Sequence, residues 1–120
     1  MSDTGLVVFR GESGKAYPFH ACPMDTSLKN VGAVYALTKR RKGDGGKDYH
    51  SIFYIGQTAS LGETVTRHRK DPWLIQFQGN CVCVHLEKDE GQRKEKIADL
   101  SQRYHPKMKI NGTEAEQSVD

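Results

Sequence analysis

Six consecutive residues, Cys81-Val82-Cys83-Val84-His85-Leu86, carry buriable side chains at odd and even positions alike. Side chains alternate across a strand, so such a segment demands cover on both faces and reads as the central strand of a layered fold. Other apolar runs supply its neighbours. Leu6-Val7-Val8-Phe9 and Ala16-Tyr17-Pro18-Phe19-His20-Ala21, joined by Gly11-Glu12-Ser13-Gly14, predict a hairpin. Pro18 pushes its second strand toward a sheet edge, because proline cannot donate to a ladder. Gly32-Ala33-Val34-Tyr35-Ala36-Leu37-Thr38 and Ser51-Ile52-Phe53-Tyr54-Ile55-Gly56 predict two more strands. Between them, residues 39–48 are so rich in glycine and charge that they predict a long hairpin connection.

Helices supply the cover. Leu61, Val65 and His68 recur at helical spacing, Ser60 stands where a capping hydroxyl is wanted, and Glu63 follows three places on. A helix of about three turns is therefore expected over residues 60–70, stopped by Pro72. Residues 73–77 predict a second short helix before Gly79. Residues 90–104 predict a third, with Ile97, Leu100 and Tyr104 facing inward and Pro106 ending it. The fold class expected is α+β: a small central antiparallel or mixed sheet, about three core strands plus an N-terminal hairpin, flanked by helices. A chain of 120 residues has room for one core, so residues 1–112 are expected to form a single domain.

Residues 113–120 contain Glu114, Glu116 and Asp120, no base, and only Val119 to bury, which predicts a disordered acidic tail. Without it the formal charge rises from +3 to +6, since three acids and no base leave with it. A basic body suits a polyanionic partner. No apolar run approaches the ~18 residues of a membrane span. Met1-Ser2-Asp3-Thr4 lacks the basic and apolar regions of a secretory signal. A cytoplasmic protein with reduced thiols and no membrane partner is expected. His20-x-Cys22 and Cys81-x-Cys83-x-His85 place each group on one face of its strand, and soft ligands at that density can hold zinc. Structural zinc sites use knuckle spacings such as Cys-x2-Cys, however, and small thiols on a buried strand account for the pattern, so no metal site is expected.

Ala33-Val34-Tyr35, then Tyr54-Ile55-Gly56-Gln57-Thr58-Ala59-Ser60-Leu61, then His68, resemble the GIY-YIG endonuclease superfamily. The first tripeptide is imperfect, with Ala33 and Val34 for Gly and Ile; the second is intact. The chain is also similar to a group of small bacterial GIY-YIG proteins, in which Phe-Arg-Gly-x-Ser-Gly, Tyr-x-Phe-His and Val-x-Val-His segments recur. Here these are residues 9–14, 17–20 and 82–85, and the likeness spans nearly residues 7–106. It implies a GIY-YIG-like core with Tyr35 and Tyr54 as base and partner and His68 assisting. It also implies an Arg eight residues past the motif glycine and a metal-binding Glu on a later helix. The chemistry fits: in-line attack of water on a phosphodiester needs a base, a cation for the growing charge, and help for the leaving oxygen.

The pattern is departed from twice. Eight residues past Gly56 stands Thr64, and aligning Arg93, Asp99-Leu100 and Tyr104-x-Pro106 with the family's last helix puts Ile97 in place of the Glu. Neither can replace a guanidinium or a Mg2+ ligand. Arg67, one turn beyond Thr64, can return a guanidinium to the site. Glu95 and Asp99 lie two residues from Ile97, about 200° around the helix, and so face elsewhere. The resemblance thus implies a degenerate nuclease-like domain with little or no phosphodiesterase activity, no cofactor, and a nucleic acid or a protein as partner. Its remnant site is Tyr35, Tyr54, His68 and Arg67. Arg40, Arg41, Lys42 and Lys47 in the hairpin, with Arg69 and Lys70 after the motif helix, are the candidate nucleic-acid contacts. The alternatives are an active Mg2+-dependent endonuclease using Arg67, and a regulatory partner of a related active nuclease.

Overall fold

The computed structural model describes residues 5–43, 45 and 48–104; Lys47, Pro106 and the tail at 113–120 lie outside them. Five strands and three helices follow in chain order: β1 (Gly5–Arg10), β2 (Ala16–Pro23), β3 (Ala33–Lys42), β4 (Asp48–Thr58), α1 (Leu61–His68), α2 (Pro72–Gln76), β5 (Cys81–Leu86) and α3 (Glu90–Tyr104). The strands form one antiparallel sheet in the order β1-β2-β5-β3-β4. The molecule is α+β, with β5 central as its two-sided apolar pattern requires. Among the described residues no helix is long and apolar enough to cross a membrane.

Covering the sheet on both faces divides the core. On one face Cys22, Tyr35, Leu37, Tyr54, Val82 and Val84 pack against Leu61 and Val65 of α1 and Leu74 of α2. On the other, Phe9, Phe19, Val34, Ala36, Ile55, Cys81 and Cys83 pack against Ile97 and Leu100 of α3. Period-two alternation sends successive residues of β3 and β5 into opposite halves.

Three local expectations are corrected. β2 is the second strand of the sheet, not its edge; β5 pairs only with residues 20–23 of β2, so Pro18 lies past the end of that ladder and costs it no hydrogen bond. The charged run after Thr38 is strand through Lys42, because the ladder to β4 continues as Lys39↔Ser51, Arg40↔His50, Arg41↔Tyr49 and Lys42↔Asp48. Asn80 supports it by accepting from the Arg40 backbone N–H at 2.7 Å and donating to the Arg40 carbonyl at 3.0 Å. Ser60 makes no side-chain cap to α1. Instead the loop between β2 and β3 satisfies the helix's free donors: Leu61 and Gly62 donate to the carbonyls of Val31 and Lys29, and Glu63 donates to Asn30 Oδ1 at 2.7 Å.

Candidate functional site

The two motif strands pair so that Tyr35 lies opposite Gly56 and Leu37 opposite Tyr54; the register then slips, Thr38 facing Ile52 and leaving Phe53 as the extra residue of a β-bulge. A bulge re-aims the side chains beside it. Here Phe53 and Tyr54 both enter the α1-side core. Gly56 has its own steric reason: a Cβ there would stand 2.8 Å from Tyr35 Oη and 2.9 Å from Tyr54 Cε2. The glycine is the floor on which both phenols rest.

α1 brings His68 over this pair. Tyr35 Oη is 2.8 Å from His68 Nε2, and the imidazole ring sits 4.8 Å from the Tyr54 ring and 5.6 Å from that of Tyr35. On the far side, His68 Nδ1 is 3.2 Å from Asp71 Oδ2. A carboxylate oxygen accepts, so Nδ1 carries the proton, Nε2 offers its lone pair, and the Tyr35 hydroxyl donates to it. The phenol rings of Tyr35 and Tyr54 lie tilted against each other, their centroids 5.8 Å apart. The result is one directional chain from Tyr35 through His68 to Asp71.

Burial sets its electrostatics. It lowers the His68 pKa below the ordinary histidine value, against the pull of Asp71, so the ring is neutral at neutral pH. It raises both phenols above theirs, the neighbouring Tyr54 adding to the effect on Tyr35. With 2% and 4% of their surfaces exposed, the phenols are held protonated and away from solvent; the imidazole is the group able to take a proton.

Thr64, standing where the resemblance wants an arginine, bonds Thr58 through its hydroxyl at 2.7 Å and so ties α1 to the end of β4. Arg67 does turn back toward it, with Nη2 3.4 Å from Thr64 Oγ1. Ile97 does not belong here. It lies in the α3-side core, across the sheet from both tyrosines, so the expectation that it marks a lost metal ligand in this cleft is overturned. The α3 face also explains Asp99: it accepts from Ser13 N–H at 2.8 Å, Ser13 Oγ at 2.6 Å and Tyr17 Oη at 2.7 Å, clamping the first hairpin to the helix. The Phe-Arg-Gly-x-Ser-Gly and Tyr-x-Phe-His segments meet in that clamp.

The basic candidates separate. Arg67 and Lys70 are exposed, and Arg67 is the one that reaches toward the cluster. Arg69 is half-buried and committed to structure, donating to the carbonyls of Met24 at 2.8 Å and Thr26 at 2.5 Å. Arg41 shares the face of Tyr35 but stands six residues along β3, roughly 20 Å away at strand rise; Arg40 and Lys42 have the alternate parity and belong to the other face. The hairpin thus continues the basic surface as a track rather than lining the cleft.

Asp71 was missed by sequence reasoning. Its signal was present in the His-x-x-Asp spacing, which places the two one helical turn apart just before Pro72. As a seat for catalytic Mg2+ the donor set does not fit: such an ion wants several oxygen ligands, and Asp71, the carboxylate at this site, already serves His68. Compared with known proteins, the chain matches no family model, no curated protein and no solved structure.

Proposed function

We propose that the chain is a GIY-YIG nuclease-like domain that holds nucleic-acid phosphates on the α1 side of its sheet and hydrolyses them slowly or not at all. One observation carries the reading: Tyr35, Tyr54 and His68, separated by up to 33 residues, converge in a hydrogen-bonded cluster with the Arg67 guanidinium beside it. Arg67 and Lys70 supply exposed cations for phosphate, and the strand residues Lys39 and Arg41 extend the track. Slow chemistry follows from the same geometry. The phenols are buried and protonated, so neither meets an attacking water as a base, and among the described residues the carboxylate beside the cluster, Asp71, is taken up by His68.

The competing reading, an active endonuclease, is favoured by the return of Arg67 to Thr64, which puts a delocalised cation where charge would grow on a phosphate. Incubating plasmid and single-stranded substrates with Mg2+ or Mn2+ separates the two. Cleavage at background level is expected. Metal-dependent cutting that disappears in both Tyr35→Phe and His68→Ala would establish the active reading instead.

A further inference from the structure

The opposite face of the sheet buries a second polar group that the phosphate-holding function does not use. β5 lies against β3 with Cys81 beside Thr38 and Cys83 beside Ala36. On the far side of β3, Arg40 pairs with His50 of β4. Alternation sends Cys81, Cys83, Thr38 and His50 all toward α3. His50 leans back across β3 over the short Thr38 side chain. Its Nδ1 comes 2.9 Å from Thr38 Oγ1 and 3.9 Å from Cys83 Sγ. Both sulfurs and an imidazole nitrogen lie within 4.8 Å of one another. Phe9 closes the site edge-on against the His50 ring at 6.2 Å, and Cys81, Cys83 and Thr38 are 0% exposed.

Two thiols on a buried strand are ordinary core residues. What distinguishes this pair is the imidazole of His50, from a strand two places away, whose Nδ1 bonds Thr38 Oγ1 and stands 3.9 Å from Cys83 Sγ. Donors around a zinc ion, with Zn–S about 2.3 Å and Zn–N about 2.0 Å, stand about 3.5–4 Å apart, so the three atoms reach ligating positions by closing less than about 1 Å. Charge selects the ion. Two thiolates and a neutral imidazole offset a divalent cation, leaving the loaded group neutral as the burial of both sulfurs requires, whereas a monovalent ion leaves a buried negative charge. Sulfur donors exclude Mg2+ and Ca2+.

We propose that His50, Cys81 and Cys83 bind one thiophilic divalent cation of the zinc class. Cys81, Cys83 and His50 Nδ1 are three of its ligands and a water from the half-exposed His50 side completes the tetrahedron; the two thiol protons leave to solvent as the metal–sulfur bonds form. The Thr38 hydroxyl, released from Nδ1, turns to donate to a thiolate and holds it in place. The consequence is mechanical: the ion fastens the outer end of the β3–β4 ribbon, with its basic residues, to the central strand. Cys22 and His20 take no part, because Cys22 lies in the other half of the core.

The test uses the reduced full-length chain titrated with Co2+ as a spectroscopic probe. Sulfur-to-cobalt charge transfer should appear, saturate at one ion per chain and vanish on adding Zn2+. Cys81→Ser and Cys83→Ser should each weaken binding by about 100-fold or more and lose the band, given that even outer partners are worth 10–100-fold. Cys22→Ser should leave it unchanged. Should either serine variant fold poorly, His50→Gln, altered at a half-exposed position, provides the check: wild-type protein should melt higher with Zn2+, and this variant should lose that shift. Absence of the charge-transfer band in the wild type overturns the site. A band that survives Cys81→Ser but is lost in Cys22→Ser does so too.

Discussion

Each face of the sheet holds a half-buried histidine against buried polar partners, His68 on one and His50 on the other, and the two clusters differ in their chemistry. On the α1 side, His68 meets two phenols and a carboxylate; on the α3 side, His50 meets two thiols and a hydroxyl. His68 rides on α1, with the exposed Arg67 next to it in the helix. His50 comes from within the sheet, half-exposed, with Phe9 edge-on against its ring. Oxygen and nitrogen donors at the rim suit protons and phosphates, and sealed sulfur suits a soft metal.

Substitutions that disturb one face and spare the other test that division. The largest effect is expected from Gly56→Ala, which drives a methyl group into Tyr35 Oη at 2.8 Å. It should cost about 2 kcal/mol in denaturant melts by overpacking and displace the His68 resonances in NMR spectra while those of His50 stay in place. Arg69→Ala, which removes the donors to Met24 and Thr26, should cost about 1.5 kcal/mol yet leave the salt dependence of nucleic-acid binding unaltered. Tyr35→Phe should cost about 1 kcal/mol.

Tyr35→Phe also carries a pH signature. Burial holds the folded pKa of His68 below its unfolded value, so the ring's contribution to stability is complete above pH ~6.5 and is lost as pH falls through the lower folded pKa. The Tyr35 hydroxyl favours the neutral ring by donating to Nε2. Removing it should move the NMR titration midpoint of His68 upward, and an unmoved midpoint would break the proposed hydrogen-bond direction. Smallest of all should be the stability effect of Arg67→Ala, within about 0.5 kcal/mol for an exposed side chain; its effect belongs to binding.

Sequence pattern made the elements legible but not their sides. The two-faced apolar run placed β5 at the centre, and the spacing of Leu61, Val65 and His68 brought His68 to Tyr35 as the motif implied. Ile97 was rightly read as inward-facing, yet helical periodicity says only that a residue is buried, not against which face of a sheet, and α3 lies on the face away from the tyrosines. Charge made Lys39 to Lys42 look like loop, although a ladder to β4 and the Asn80 amide hold them as strand. Asn30 replaced Ser60 as the acceptor for the start of α1, and His50 found its thiols 31 and 33 residues away; contacts so remote leave no local pattern to read.

Binding of a fluorescently labelled oligonucleotide, followed by anisotropy from about 50 to 200 mM salt, bears most directly on the claim that the α1 face holds phosphates. The logarithm of affinity should fall linearly with the logarithm of salt concentration, and Arg67→Ala should reduce that slope by about one without lowering the melting temperature. No binding at the lowest salt, or a slope that Arg67→Ala leaves untouched, would contradict it.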